Sequence, residues 1–179
     1  MRGLLALSRG IDALNEGIGR LVLWLVLAAV LISAGNAVAR YGLDISSNAW
    51  LEIQWYLFAA LFLFAAAYTL KHNGHVRIDV LYARFPPRVR AWIDLLGALL
   101  FLLPMCALIT WLGWKSFLVS FMVNEVSPDA GGLPRWPIKL AIPIGFGLLF
   151  LQGVSEAIKQ LAFLTGHLPL GTEQAEETV

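Results

Sequence analysis

The chain has 179 residues, 59% hydrophobic and 14% charged, with a formal net charge of +1 and a mean hydropathy of +0.72. Soluble domains carry about 25% charged and about 45–50% apolar residues, so a chain this apolar needs a solvent other than water. The charge excludes a strongly basic nucleic-acid binder, and the single cysteine, Cys106, excludes a disulfide framework or a cysteine-built metal centre.

Residues 1–20 carry Arg2, Arg9 and Arg20 and read as a cytoplasmic segment ahead of the first apolar run. That run, 21–39, has no charge over 19 residues. About 20 apolar residues at 1.5 Å rise cross a hydrocarbon core of about 30 Å. Ala37-Val38-Ala39 has the form of a signal-peptidase site, but a signal core is only about 7–15 residues long. A retained helix is therefore expected. Further spans fall at 53–70, 95–114 and about 140–158. The last has a charge-free core of 16 residues, and Lys139 and Lys159 can snorkel to the headgroups at its ends. In hydrocarbon each backbone N–H needs an internal partner, so segments of this length are helices. The expected fold is all-α: an integral membrane four-helix bundle over 21–165, followed by an acidic tail, 166–179.

Lys and Arg set the orientation. Nine fall on the side of the termini and the 71–90 connection, and four on the other. The positive-inside rule puts both termini in the cytoplasm.

The connections carry their own patterns. In 71–90, Ile78, Leu81, Tyr82 and Phe85 recur at helical spacing, while Arg77, Arg84 and Arg88 share another face. A short interfacial helix is expected there, released from the second span at Gly74 and ended by Pro86-Pro87. Arginines of this kind also serve as ordinary membrane anchors. In 115–139 the apolar run continues through Val123, and a second interfacial helix is expected on the outer face. Glu125, Ser127-Pro128, Gly131-Gly132 and the stretch 133–137 then make a structured turn. Trp55, Tyr56, Trp92, Trp111, Trp114 and Trp136 fit interfacial belts. Pro104 should kink the third helix, and Pro143 lies in the first turns of the fourth.

The chain holds no phosphate-binding glycine loop, no HExxH and no GxSxG. His72, His75 and His167 lie at or beyond span ends, so no haem-binding pair faces across the bundle. The polar groups inside the spans are such residues as Ser33, Asn36, Thr110 and Gln152. Glu52, Asp94 and Glu156 sit at span edges, as solvated caps or as contacts to another chain. The residues give no catalytic, cofactor or metal site. They read as a chain that serves a partner.

The stretch Glu52-Ile53-Gln54-Trp55-Tyr56-Leu57-Phe58, with Tyr68-Thr69-Leu70-Lys71 and His75-Val76-Arg77-Ile78-Asp79-Val80, resembles the signature of the small, DctQ-like membrane subunit of tripartite ATP-independent periplasmic (TRAP) transporters. Glu125-Val126-Ser127, Leu133-Pro134, Trp136 and Ile142-Pro143-Ile144-Gly145-Phe146 are similar to that family's third loop and fourth helix, and the resemblance covers roughly 15–165. It implies a bacterial inner-membrane subunit that is not an enzyme. Its implied partners are a large, DctM-like membrane subunit, a DctP-like periplasmic substrate-binding protein and membrane lipids. The implied role is to steady the large subunit and help dock the binding protein during ion-coupled uptake of a carboxylate.

On this basis His75, Arg77 and Asp79 are expected against the large subunit and headgroups. Glu125, Leu133, Arg135 and Trp136 are expected in an outer docking surface, steered by charge. Glu52 is a further candidate for partner contact. A rival reading is a self-sufficient four-helix transporter acting as a homodimer, which should carry a membrane-embedded acid. Residues 21–39 contain none. A second rival, an anchor for a redox enzyme, lacks the histidine ligands.

Overall fold

The computed structural model describes residues 1–44, 47–74, 82 and 84–167. They form four helices: α1 Arg2–Gly42, α2 Asn48–Lys71, α3 Pro87–Met122 and α4 Trp136–Leu164. Each is long and apolar enough to cross a membrane. The fold is an all-α four-helix membrane bundle.

The first helix is longer than its apolar run. It holds 41 residues without a break, about 60 Å at 1.5 Å per residue, twice the hydrocarbon thickness. No proline interrupts 2–42, and Ser8, Asp12, Asn15 and Glu16 have partners on other helices, so this segment is a helical arm of the bundle.

Helix ends depend on left-handed residues. Asn73 follows α2 at φ 51°, Asn124 follows α3 at φ 47°, and Gly166 follows α4 at φ 74°. In each case the next amide reaches back five residues: Gly74 N to Thr69 O at 2.9 Å, Glu125 N to Ser120 O at 2.9 Å, His167 N to Ala162 O at 2.9 Å. This is the Schellman arrangement, which satisfies the last carbonyls of a helix. Asn73, rather than Gly74, takes the left-handed position after α2, because its short polar side chain tolerates that conformation.

The two interfacial helices expected in the connections fare differently. The apolar run 115–122 is the last two turns of α3 and not a separate element. Residues 75–81 and 83 of the other lie outside the described residues. Pro87 opens α3, where a proline gives up only an N–H that has no partner to lose. The irregularity expected at Pro104 is a π-helical turn over Ala98–Leu102, just before it. Pro143 lies inside α4, which continues through it.

The helix α4 touches the other three, and α1 packs on α2. Small residues make the seams: Ala29, Ala67, Ala141 and Ala162 are buried. A Cβ on Gly145 would sit 2.9 Å from the backbone oxygen of Leu63, so only glycine lets α4 approach α2 there. Large side chains face outward, with Phe62 and Phe101 about three-quarters exposed. That inversion of a soluble core suits lipid, where close van der Waals contact, not burial from water, holds helices together.

Candidate functional sites at the two ends of the bundle

Polar residues gather at the ends. One end carries the α1–α2 connection and residues 123–135 and is called here the loop end. The other carries the N-terminus, the end of α2 and the end of α4.

At the loop end, Glu52 lies in the second turn of α2 and is 3% exposed. Its Oε1 accepts a hydrogen bond from the Ser127 hydroxyl, and its Oε2 accepts one from the Leu133 N–H at 2.6 Å. The Arg135 guanidinium lies 3.7 Å from Oε1 and donates to Ser127 Oγ at 3.0 Å. That guanidinium also stacks over the Trp55 ring, 5.0 Å from its centroid. The Tyr56 hydroxyl donates to Pro134 O at 2.9 Å, and Asn48 Nδ2 to Ala130 O at 3.1 Å. Four residues of the first two and a half turns of α2 thus hold the loop.

The loop is also bonded to itself. Ser127 N donates to Leu133 O at 3.0 Å, Arg135 N to Glu125 O at 2.8 Å, and Gly132 N to Asp129 O at 3.0 Å. The Lys139 ammonium donates to Glu125, and that bond holds the Glu125 carboxyl below the usual carboxylate range. Trp136 packs edge-on against Phe121, ring centroids 5.6 Å apart.

This end brings together Glu52, Glu125, Leu133, Arg135 and Trp136. It also shows what each has to offer. The Glu52 carboxylate is not a solvated cap, because both its oxygens accept hydrogen bonds from the chain's own loop. Leu133 contributes through its backbone. Glu125 and Arg135 are paired internally. Trp55 and Tyr56, read as belt aromatics, are fasteners of the loop. His75, Arg77 and Asp79 lie outside the described residues.

At the opposite end the N-terminal arm of α1 meets α4 and α2. Asn15 Nδ2 donates to Gln152 Oε1 at 2.7 Å, and Gln152 Nε2 donates to Asp12 Oδ1 at 2.8 Å and Glu156 Oε1 at 2.9 Å. The Ser155 hydroxyl donates to Asp12 Oδ1 at 2.7 Å and is itself 2.7 Å from the Ser8 hydroxyl. Lys159 lies 3.3 Å from Asp12 and 2.8 Å from Glu156. Glu16 accepts from Lys71 at 2.9 Å, lies 2.8 Å from His72 Nε2, and pairs with Arg20 at 3.0 Å. Ser8, Asn15, Gln152 and Ser155 are each 1% exposed or less.

Sequence reasoning missed this network. Its signal was the spacing of Ser8, Asp12, Asn15, Glu16 and Gly19, which recur at four, three, one and three residues and so share one helical face. A search for charge-free windows passes over that face because it is polar. A Cβ on Gly19 would overlap the Tyr68 ring, which fixes the arm against α2.

Among the described residues no group of three or more His, Cys, Asp or Glu could hold a metal ion. Cys106 is buried in α3.

Residues 29–163 match the family described as tripartite ATP-independent periplasmic transporters, DctQ component. The chain belongs to the DctQ family. The match runs from the last third of α1 to the last turn of α4 and includes the clasped loop. The chain is 35% identical over 119 residues to the C4-dicarboxylate TRAP transporter small permease protein DctQ of Rhodobacter capsulatus, covering 63% of this chain and 48% of that protein. It is 27% identical over 150 residues to the protein of the same name from Pseudomonas aeruginosa, covering 82% of this chain and 69% of that one. The chain thus spans about half the length of the first relative and about two-thirds of the second. This DctQ-family chain is a multi-pass membrane protein of a transporter family, not of an enzyme family.

Proposed function

We propose that this chain is the small permease subunit of a TRAP transporter and has no transport path of its own. It packs beside a large, DctM-like subunit, steadies it in the bacterial inner membrane, and helps a DctP-like binding protein dock for ion-coupled uptake of a carboxylate. The observation that carries this is the family match over 29–163, which takes in the second half of the first span, the other three spans and the loop end together. The spans add support: 21–39, 53–70, 95–114 and 140–155 hold no charged residue, so an anionic cargo would find no ionic partner midway. Both relatives are named for C4-dicarboxylates, which supports a small dicarboxylate as cargo.

The excess of Lys and Arg supports cytoplasmic termini, with the loop end in the periplasm. On that side the loop fastened by Glu52 and built from Glu125, Leu133, Arg135 and Trp136 receives the binding protein. On the other, His75, Arg77 and Asp79 meet the large subunit and lipid headgroups.

Two measurements test the assignment. A tagged chain expressed with a DctM-like large permease of the same organism should purify as a stable complex; a chain that purifies alone under mild detergent contradicts the reading. With Cys106 replaced by Ala, a cysteine introduced at Asp129 should react with an impermeant maleimide added outside intact spheroplasts. Labelling only after lysis would reverse the orientation.

A further inference from the structure

The 123–135 loop is joined to itself by backbone bonds, but its seat on the bundle depends on one side chain above the others. Glu52 reaches both arms of the loop: Ser127 on the outgoing arm, Leu133 and Arg135 on the returning one. A carboxylate shielded this far from solvent needs partners for its charge, and here all of them come from the loop. Gly132 keeps the space open, since a Cβ there would press on Ser127 and lie 3.0 Å from Glu52 Oε1. What the clasp leaves outward is the tip: Val126 is 61% exposed, and Pro128, Asp129, Ala130 and Gly131 are exposed beside it. The charges of Glu125 and Arg135 are turned toward Lys139 and Glu52.

We propose that Glu52 is a positioning residue: it pre-shapes the 126–131 tip as a rigid surface for the periplasmic binding protein. This rests on the docking role proposed above. A surface held in its bound conformation before encounter avoids the ordering cost that a loose loop pays on binding.

The test uses the complete transporter in proteoliposomes, with uptake measured against the concentration of binding protein. Glu52→Gln keeps the size of the side chain but cannot accept from Ser127 and Leu133 together while balancing Arg135. It should raise the half-saturating concentration roughly tenfold, through lost pre-organisation, with the maximal rate retained. In the same sample the Leu133 amide should exchange with solvent about 100-fold faster, as expected of local opening, while the amides of α4 are unchanged. Gly132→Ala, which crowds the same carboxylate from the loop side, should act in the same direction and serves if Glu52→Gln lowers yield. Replacing 126–131 by a Gly-Ser linker of equal length, with Glu52 retained, separates the two ideas. If the linker leaves the half-saturating concentration unchanged, the docking role itself fails. If the linker raises it but Glu52→Gln and Gly132→Ala do not, the positioning role fails. A fast-exchanging Leu133 amide with normal docking also overturns the positioning role.

Discussion

The two ends of the bundle solve the same problem differently. At the loop end one carboxylate, Glu52, backed by Asn48, Trp55 and Tyr56 of the same helix, gathers a loop onto α2. At the other end the load is shared: Asp12, Asn15 and Glu16 of α1 engage Gln152, Ser155 and Lys159 of α4 and Lys71 and His72 at the end of α2. A clasp with one hub can be opened without disturbing helix packing. A network spread over three helices cannot lose a member without loosening the bundle. The first arrangement suits a surface presented to a transient partner, and the second suits a frame.

The largest effect is expected at the α2–α4 seam, which both ends share. Gly145→Leu drives a side chain into the backbone of α2 at Leu63. It should cost about 3 kcal/mol through overpacking and weaken both ends together. Thermal unfolding of the detergent-solubilised chain reads this; an unchanged midpoint would mean that α2 and α4 are not in such close contact. Next, Gln152→Leu strips partners from Asn15, Asp12 and Glu156. Leaving buried polar groups unpaired should cost about 1–3 kcal/mol. The effect should be confined to the helix frame, so loop amides that also lose protection would show that the ends are coupled. Smaller again, Tyr56→Phe removes the bond to Pro134 O. It should ease opening of the loop by about 1 kcal/mol while thermal stability of the helices holds. Hydrogen exchange at Arg135 distinguishes the two.

The smallest effect is that of pH on Glu125. The hydrogen bond from Lys139 holds its folded-state value below the ordinary carboxylate range. Its contribution is therefore fully present above that range and is lost only as pH falls through the lowered value. Exchange protection of the Arg135 amide, taken relative to a Glu125→Gln variant at each pH, should stay constant from neutrality down to about pH 5 and then decline. A decline starting near neutrality would contradict the pairing.

The spans were legible in the sequence because long charge-free windows leave helices as the only way to satisfy the backbone. The ends were not legible in the same way. The polar face from Ser8 to Gly19 does have helical spacing, yet it reads as cytoplasmic until Gln152 and Ser155 are seen opposite it. Glu52 stands 75 residues from Ser127 and 81 from Leu133, and no local pattern marks such a pairing. The place of Glu125, Arg135 and Trp136 near one turn was readable from Pro and Gly spacing. The internal neutralisation of the first two was not, because it depends on which way each side chain folds back.

The most direct measurement reconstitutes this chain alone, with the large permease, and with both the permease and the binding protein, using as labelled solute the ligand that the binding protein is found to hold. Uptake confined to the complete set is the predicted result. Movement of solute by the chain alone would contradict the account at its centre.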